Sequence, residues 1–427
     1  MTPEIKQRID AIRHGDVPKG YKKVKIGIVP TEWEETHFKT MFGRLNRKNT
    51  TGNTNVLTIS AQHGLISQED FFNKSIASED KSNYFFLKRG EFAYNKSYSN
   101  GYPFGALKPL VAYESGIVSP LYICFSATRE NKCPEYYAQY FEGGLMNHEI
   151  QAFAQEGARN HGLLNISVGD FFNSAIVVPP LPEQQKIAEI LTTQDKVIEL
   201  KEKRIAQKQR QKKYLMQQLL TGKKRLKGFS GEWKKQRLSE VLKERKEKNV
   251  AEDLLICSVA VQKGVIGQIE HLGRSYAATD TSNYSVVGFG DIVYTKSPTG
   301  DFPYGIIKQS HIQDNVAVSP LYGVYIPVNY WLGYILHTYF QYAVNVTNYL
   351  LPIVHKGAKN TINISNEVFL SNSLYLPMDE EEQKRISELF IVVDREISLL
   401  QKDLEQEKLK KKVLMQLLLT GIVRVSA

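Results

Sequence analysis

The chain has 427 residues, of which 42% are hydrophobic, and it carries a formal net charge of +10. This length predicts two or three domains, and the apolar fraction argues against a disordered chain. The three scattered cysteines offer neither a disulfide framework nor a CxxC metal pair. Because the sequence also lacks a signal segment and a bilayer-length apolar run, it predicts a soluble protein of the cytoplasm.

The positive charge is concentrated between Lys201 and Lys227. This segment contains eleven Lys or Arg residues and one acid, Glu202, so its net charge equals that of the whole chain. Uniform basicity would be typical of a protein that coats nucleic acid. A local concentration indicates contact with a polyanion, a docking face for an acidic partner, or simply a solvated helix face.

The first part of the chain predicts a tail and then a mixed domain. Residues 1–22 predict a tail with a short helix. Residues 23–180 contain short apolar runs between Gly, Pro, Asn and Ser clusters. These runs predict strands such as Leu57–Ser60 and Glu91–Tyr94, and a helix at Glu135–Glu142. The pattern is typical of an α+β domain.

Residues 181–222 predict a long helix. From Pro182 to Thr221 there are 40 residues without an internal Pro or Gly, which corresponds to a helix about 60 Å long. Glu183 lies in the first turn, where the helix dipole favours an acid, and Gly222 is a natural C-terminal cap.

The second part of the chain follows the same plan. Residues 223–377 predict another α+β domain, with strands at Ile292–Tyr294 and Leu321–Ile326 and a helix at Tyr330–Gln341. Residues 378–427 predict a second long helix.

These two parts are copies of each other. Ser82–Gly105 and Ser282–Gly305 are identical at nine of 24 positions at a separation of 200 residues, whereas average composition gives about one or two matches by chance. Further pairs follow in order: Trp33 with Trp233, Gly157-Ala158-Arg159-Asn160 with Gly357-Ala358-Lys359-Asn360, and, at a separation of 199, Glu183-Gln184 with Glu382-Gln383 and Leu219-Leu220-Thr221-Gly222 with Leu418-Leu419-Thr420-Gly421. The matches keep their order across nearly the whole unit, so we infer a duplication.

Both long helices carry a heptad stripe, which predicts a coiled-coil seam. The stripe is Leu191, Ile198, Ile205, Lys212 and Leu219 in the first helix, and Phe390, Ile397, Leu404, Lys411 and Leu418 in the second. Antiparallel pairing places Leu191 near Leu418 and Lys201 near Glu407. The predicted fold is therefore α+β, with two similar globular domains separated by two long helices that form an antiparallel coiled coil. The alternative is that each helix packs on its own domain.

Motifs for catalysis are missing from the sequence. No glycine-rich loop ends in GK[ST], and neither signature of an adenine methyltransferase, Asn/Asp-Pro-Pro-aromatic or FxGxG, is present. Histidines do not pair at metal-ligand spacing, so we expect no metal site. Glu382-Gln383-Lys384 resembles part of a nuclease site, but it lies at a predicted helix start. The sequence favours a recognition protein over an enzyme.

The order of these features resembles the specificity subunit of type I restriction–modification systems. The resemblance covers the whole chain and is carried by Pro180-Leu181-Pro182-Glu183-Gln184-Gln185-Lys186-Ile187, Gln218-Leu219-Leu220-Thr221-Gly222, Gly228-Phe229-Ser230-Gly231-Glu232-Trp233, Gly90-Glu91-Phe92, Gly290-Asp291-Ile292 and Gly157-Ala158-Arg159-Asn160. One departure is the second helix, which starts with Asp379-Glu380-Glu381-Glu382-Gln383 instead of Leu-Pro-Glu-Gln.

The resemblance implies a function in DNA recognition. Residues 23–180 and 223–377 correspond to two target-recognition domains, each of which reads one half of a bipartite, asymmetric DNA sequence. The helices, residues 181–222 and 378–427, correspond to the spacer between them. The family subunit has no catalysis of its own and scaffolds two methyltransferase subunits and, in the larger complex, restriction/translocase subunits. S-adenosylmethionine, ATP and Mg are then expected on these partners, and no cofactor on this chain.

The repeat separates two kinds of candidate DNA-binding residues. Loop residues shared by both copies cannot distinguish two half-sites, so we expect them to contact phosphates or hold the fold: Lys96, Ser97, Arg159 and Asn160, with Lys296, Ser297, Lys359 and Asn360. Residues that read bases should differ between the copies; the candidates are Tyr98, Asn100 and His161, and Thr299, Asp301 and Lys356. The alternative is that Lys96-Ser97 and Lys296-Ser297 simply close hairpins.

Two other functions are also compatible with the sequence. A stand-alone bivalent DNA-binding protein would have the same repeat but no methyltransferase partner. An unrecognised enzyme with duplicated active sites would act without partners. Co-purification with a methyltransferase would argue against a stand-alone DNA-binding protein. Methylation or cleavage by the purified chain would indicate an enzyme.

Overall fold

The computed structural model describes residues 2–60, 63–72, 80–128, 133–156, 164–356 and 362–425. It divides into two compact units: unit 1 is Met1–Lys201 with Asp403–Ala427, and unit 2 is Glu202–Lys402. Each unit contains one globular domain and part of each of the two long helices. The domain boundaries drawn from the sequence stay predictions.

The elements of the first half are α1 (Pro3–His14), β1 (Tyr21–Val24), β2 (Gly27–Pro30), β3 (Glu34–His37), α2 (Phe38–Met41), β4 (Phe42–Leu45), β5 (Leu57–Ser60), β6 (Gly64–Ser67), α3 (Gln68–Phe72), β7 (Phe85–Lys88), β8 (Phe92–Asn95), β9 (Ala106–Pro109), β10 (Ser115–Val118), β11 (Ile123–Ala127), α4 (Pro134–Glu142), α5 (Asn147–Phe153), β12 (Gln155–Glu156), β13 (Leu164–Asn165), α6 (Val168–Asn173), β14 (Ala175–Val178) and α7 (Leu181–Leu219).

Those of the second half are β15 (Lys234–Arg237), α8 (Leu238–Val241), β16 (Leu242–Glu244), β17 (Ile256–Ala260), β18 (Gly264–Gly267), α9 (Gln268–Leu272), β19 (Ser285–Val287), β20 (Ile292–Tyr294), β21 (Ile307–Gln309), β22 (Val316–Val318), β23 (Gly323–Pro327), α10 (Tyr330–Tyr339), α11 (Ala343–Leu350), β24 (His355–Lys356), β25 (Ile362–Asn363), α12 (Asn366–Ser371), β26 (Ser373–Leu376) and α13 (Glu380–Leu419).

Each unit is built on the same four-stranded antiparallel sheet. Its order is β4-β11-β8-β9 in unit 1 and β16-β23-β20-β21 in unit 2. The register is also the same, because Ala93 pairs with Lys108 and Val293 pairs with Lys308. The sequence repeat is therefore a repeat of backbone structure, and the predicted α+β fold is confirmed.

The two units differ in the strands that lie outside this central sheet. In unit 2, β18-β17-β22-β19 form one sheet in which β17 and β22 are parallel. In unit 1, the equivalent ladders β5-β6 and β7-β10 are separate and meet through one parallel bridge from Val56 to Ile117.

Aromatic side chains fill both cores. In unit 1 the Phe38 ring lies 4.5 Å from Phe42 and 5.1 Å from Phe125, measured between centroids. In unit 2 the Phe369 ring stacks at 4.8 Å on both Tyr294 and Tyr325. Burying each such side chain stabilises the fold by about 1.5–3 kcal/mol, so these clusters hold the sheets and small helices together.

The two long helices pack on each other within each unit. In unit 1, Leu191 and Leu418 belong to one apolar cluster, and Lys201 Nζ lies 3.7 Å from Glu407 Oε1. In unit 2, Phe390 shares a cluster with Leu219. Residue numbers fall along one helix as they rise along the other, so the predicted antiparallel pairing is confirmed.

The predicted seam residues lie along this packing. The buried ones are Leu191, Ile205, Leu219, Phe390, Ile397, Leu404 and Leu418, whereas Ile198 is half-buried. Lys212, a polar position in the same stripe, is buried and forms an ion pair with Asp394, and Lys411 pairs with Asp195 at 2.5 Å. The two lysines are equivalent in the repeat, so each unit has an ion pair at the same position of the stripe.

Acidic side chains of α13 neutralise part of the basic segment. Lys201 pairs with Asp403 in unit 1. In unit 2, Lys208 Nζ lies 2.8 Å from Glu396 Oε1. Part of the positive charge concentrated in the first helix is thus balanced by acids of the second helix.

The N-terminal helix α1 meets the end of α13. Arg8 donates a hydrogen bond to the carbonyl of Ile422 at 2.8 Å, and the Tyr21 hydroxyl donates to the carbonyl of Gly421 at 2.7 Å. The first residues of unit 1 are therefore tied to the residues that directly follow the long helix. Within the described ranges, no helix combines the length and apolarity that a membrane span needs.

Candidate nucleic-acid interface

The loop between β8 and β9, residues 96–105, carries the first set of candidate residues. A bridge between Ser99 and Tyr102 forms a tight turn within the loop, and the Tyr94 hydroxyl donates a hydrogen bond of 2.6 Å to the carbonyl of Phe104. Gly105 has a φ of +82°, and a Cβ there would lie 2.2 Å from the Asn95 carbonyl oxygen. This position therefore requires glycine.

The loop between β20 and β21, residues 295–306, repeats this frame. A bridge joins Thr299 to Phe302, and the Tyr294 hydroxyl donates to the carbonyl of Tyr304 at 2.8 Å. Gly305 has a φ of +85°, like its counterpart. The two loops thus share their frame and their anchors.

The tips of these loops differ in chemistry. The β8–β9 loop presents Tyr98, whose side chain is 62% exposed, and the exposed Asn100. The equivalent positions of the β20–β21 loop are Pro298 and Gly300, and its half-buried Thr299 donates a hydrogen bond to the carbonyl of Ser297 at 3.1 Å. A conserved frame with divergent tips is the arrangement expected of two loops that read different bases.

Lys96 and Ser97 occupy the start of the first loop. Both are half-buried, and the Ser97 amide donates to Asn95 Oδ1 at 3.1 Å. The Lys96 carbonyl accepts a hydrogen bond of 3.0 Å from the Leu164 amide, which brings the loop against the β12–β13 hairpin. The structure thus joins two segments that carry candidates from distant parts of the sequence.

Several predicted residues lie outside the described residues. They are Arg159, Asn160, His161, Lys359 and Asn360, and for Lys356 the backbone alone is described, in β24. Their assignment to DNA stays a prediction.

Lys296 has an unusual backbone. Its φ is +54°, a left-handed conformation that costs a non-glycine residue about 1–2 kcal/mol. Burial lowers the pKa of its ammonium group, and the nearby Glu244 acts in the opposite direction. Strain at a half-buried cation is consistent with a functional position, because such conformations concentrate at ligand sites.

A Trp-Glu-Arg cluster lies at the start of each long helix, and the sequence analysis missed it. In unit 1, Glu183 Oε2 accepts hydrogen bonds of 2.9 Å from both Trp33 Nε1 and Arg424 Nη2. Arg424 also contacts Glu32 at 2.6 Å. Glu183 is 4% exposed, so the arginine supplies the charge that this buried carboxylate needs.

Unit 2 has the same cluster with equivalent residues. Glu382 accepts hydrogen bonds of 2.6 Å and 2.7 Å from Arg225 and one of 3.3 Å from Trp233. The cluster also explains Glu382-Gln383-Lys384, whose acid is structural. The signal was present in the repeat, since Arg225 and Arg424 are separated by 199 residues, as Glu183 and Glu382 are.

Glu91 and Asp291, the acids that follow Gly90 and Gly290, are likewise structural residues. Glu91 pairs with Arg47, and its Oε2 accepts a hydrogen bond from the Lys88 amide at 2.7 Å. Asp291 is 1% exposed and lies 2.6 Å from Arg245 Nε. Burial raises the pKa of Asp291, and Arg245 opposes this effect. Among the residues that the structure describes, no group of three or more His, Cys, Asp or Glu side chains could hold a metal ion.

Comparison with known proteins agrees with this geometry. Residues 30–210 match the family model described as the type I restriction modification DNA specificity domain. A solved S subunit of a type I restriction–modification system from M. genitalium is 11% identical, with a TM-score of 0.54 over 92% of this chain and 97% of that chain. A chain from a structure described as explaining complex assembly and conformational transition of the type I R-M system is 14% identical, with a TM-score of 0.53 over 92% and 99%.

At these identities the solved structures establish the fold. The family model covers most of the first globular domain and most of α7. The internal repeat extends the same design to unit 2, because the central sheets share their order and register. Residues 30–210 thus match the type I restriction–modification DNA specificity family, and the whole chain shares its fold with solved structures from type I restriction–modification systems.

Proposed function

We propose that this chain is the DNA sequence-specificity subunit of a type I restriction–modification complex. Each unit reads one half of a bipartite, asymmetric DNA target, and the paired helices set the distance between the two half-sites. The chain is not an enzyme by itself. S-adenosylmethionine, ATP and Mg belong to the partner subunits.

The observation that carries this proposal is the pair of equivalent loops. The β8–β9 and β20–β21 loops have the same closing bridge and the same tyrosine anchor, but their tips carry different residues. A shared frame supports binding in the same mode, and divergent tips support recognition of unlike half-sites. Two half-site contacts on one chain then combine through a high effective concentration.

Exposed apolar residues on the helices support docking of partner subunits. In unit 1, Leu200 is 56% exposed and Val413 is 41% exposed; in unit 2, Leu399 is 57% exposed and Tyr214 is 55% exposed. Leu200 is equivalent to Leu399, and Tyr214 to Val413, because both pairs are separated by 199 residues. Each unit therefore presents one equivalent apolar pair, which favours two copies of the same partner.

We propose that these two pairs dock two methyltransferase subunits, and that restriction/translocase subunits join the resulting complex. Replacing Leu200 and Val413 by Asp should reduce the number of bound methyltransferase subunits from two to one, as counted by native mass spectrometry. Replacing Leu399 and Tyr214 should have the same effect, and Arg204→Glu tests the exposed polar face of the first helix. Two bound copies on the variant with all four apolar changes would rule out this surface.

Methylome sequencing tests the function itself. A host that carries the methyltransferase gene with this gene should show methylated adenines in one bipartite motif, and the same host without this gene should show none. A methylated motif that persists without the gene would contradict the proposal. A chain that binds DNA but co-purifies with no methyltransferase would instead support a stand-alone bivalent DNA-binding protein.

A further inference from the structure

Unit 2 contains a large cleft beside its long helices. Its volume is about 960 Å³, which is at the upper end of the range for small-molecule sites. Residues from α7, the start of β18, β21, α10 and α13 line it. This cleft lies away from the β20–β21 loop residues proposed to read DNA, none of which lines it.

The lining of the cleft is strongly basic. It includes five Lys or Arg side chains and two histidines: Arg210, Lys212, Lys213, Lys263, Lys308, His311 and His337. Among the described lining residues Asp394 is the sole acid, and it already pairs with Lys212 and accepts a hydrogen bond of 3.1 Å from the Tyr334 hydroxyl. The cleft therefore has an excess of positive charge that its own carboxylate does not balance.

Lys308 is the most deeply buried member of this group, in which Lys212 and His337 are also buried. It is 5% exposed, and within the described residues its Nζ has neither a hydrogen-bond acceptor nor a carboxylate at ion-pair distance. Burial lowers the pKa of Lys308 to about 8, and Lys212 adds to the effect while Asp394 opposes it. Burial also lowers the pKa of His337, with Lys308, His311 and Lys212 acting in the same direction.

Unit 1 shows how the same lysine is neutralised. The equivalent Lys108 is 9% exposed, pairs with Glu142 and donates a hydrogen bond of 3.1 Å to the Tyr102 hydroxyl. Tyr102 in turn donates to Glu142 at 2.6 Å. An internal carboxylate and a hydroxyl thus compensate the buried charge.

Unit 2 lacks both of these groups. Phe302 replaces Tyr102 and removes the hydroxyl. Gln341 replaces Glu142, since each directly follows a Tyr-Phe pair, and the change removes the negative charge. Gln341 instead accepts a hydrogen bond of 2.5 Å from Lys212. Unit 2 thus has the buried cation without the counter-charge that unit 1 has, and the cation borders a cleft.

We propose that this cleft binds a phosphate group, either the free ion or a small phosphate ester, which neutralises Lys308. A phosphate dianion matches several converging cations better than a carboxylate does, because it carries more charge and more acceptor oxygens. The rings of Tyr334 and Tyr342 also line the cleft, so it has room and apolar surface for an ester group such as a nucleoside. This inference does not depend on DNA reading.

Titration of the full chain tests the site. Isothermal calorimetry in phosphate-free buffer should detect one saturable site for inorganic phosphate or for adenosine monophosphate. Tighter binding of the nucleotide would assign the site to an ester, and equal binding would assign it to the free ion. Lys308→Met should weaken binding at least tenfold, whereas the matched change Lys108→Met in unit 1 should leave it unchanged.

A second variant keeps the test independent of folding. Gln341→Glu restores the carboxylate that unit 1 has, so it should supply the missing charge internally and weaken phosphate binding at least tenfold while preserving the fold. The proposal is overturned if neither ligand binds saturably, if Lys308→Met and Gln341→Glu bind like wild type, or if a short DNA duplex displaces the ligand completely, which would place the cleft in the DNA interface.

Discussion

The two units share a backbone frame but differ in how they balance buried charge. In unit 1, Lys108 has Glu142 and Tyr102 as partners, whereas Lys308 of unit 2 has neither equivalent. The central sheets nevertheless have the same order and register. Duplication therefore preserves packing first, because a one-residue change of register would move every core side chain of a strand to the other face. Once a bound ligand can supply the counter-charge, the side chains that neutralise the buried lysine are free to differ between the units.

The buried Trp-Glu-Arg clusters show a second difference. Arg424 of unit 1 contacts two acids, Glu183 and Glu32, whereas Arg225 of unit 2 contacts Glu382 alone among the acids whose positions are described. The side chain of Glu382 is 1% exposed and that of Glu183 is 5% exposed. We therefore expect Glu382 to contribute more to the stability of unit 2 than Glu183 contributes to that of unit 1.

The largest expected effect follows from this difference. Glu382→Gln should lower the free energy of unfolding of unit 2 by about 3–5 kcal/mol, because Arg225 is left without its buried partner. Glu183→Gln should cost about half as much, since Arg424 keeps Glu32. Hydrogen exchange of amides in the sheets of each unit measures the two effects separately. Equal losses in the two variants would show that Glu32 does not compensate.

The next effect concerns pH and Lys308. Its pKa is lowered from 10.5 to about 8 in the folded state, so between these values the unfolded chain binds the extra proton. Unit 2 should therefore gain stability as the pH rises from 8 to 10.5, by about 3 kcal/mol, and the full penalty should persist below pH 8.

Lys308→Met should remove this dependence. The variant should be more stable than wild type at pH 7 in phosphate-free buffer, and the difference should vanish near pH 10.5, as measured by urea unfolding. The control Lys108→Met should have the opposite sign at pH 7, with a loss of about 1–2 kcal/mol, because Glu142 loses its partner. A pH-independent difference for Lys308→Met would contradict the account of its buried charge.

Much of this fold was predictable from the sequence. The repeat fixed which segments are equivalent, the heptad stripes predicted the antiparallel helix pairing, and the register that brings Lys201 near Glu407 is present at 3.7 Å. These features depend on periodicity, which a single sequence displays directly. Ile198 is half-buried although it lies in the stripe, because heptad position alone does not fix how closely a partner approaches.

The charge clusters were not predictable in the same way. The replacement of Glu142 by Gln341 is visible in the sequence, but its meaning depends on Lys108 and Lys308 being buried. Burial of a lysine on a strand is a tertiary property, since the strand pattern says only which face it occupies. The Trp-Glu-Arg clusters join residues up to 392 positions apart, and the repeat alone could have indicated them.

The β8–β9 and β20–β21 loops, which we propose contact DNA, provide a comparison in binding. Lys96→Ala and Lys296→Ala should each weaken binding to all sequences and reduce the slope of log K against log salt by about one unit, because each removes one phosphate contact. Lys296 is the sharper case, because its left-handed backbone restricts its orientation. Fluorescence anisotropy at several salt concentrations gives the slopes. An unchanged slope would mean that the lysine only closes a hairpin.

The smallest expected effect is a change in stability, which separates backbone strain at Lys296 from its proposed contact with DNA. Lys296→Gly should raise the stability of unit 2 by about 1 kcal/mol, because glycine adopts the positive φ of +54° without penalty. It should still weaken DNA binding like Lys296→Ala. The matched change Lys96→Gly should bring no gain, since Lys96 is not among the described residues with positive φ. A thermal melt in which both glycine variants behave alike would contradict the assigned strain.

A domain exchange tests the central claim most directly. Residues 23–180 are replaced by the corresponding domain of a relative with a different target, and the methylated motif of the chimera is sequenced in the host. Two independent readers on one chain predict a motif in which one half changes and the other half stays the same. A chimera that changes both halves of the motif would contradict the modular account.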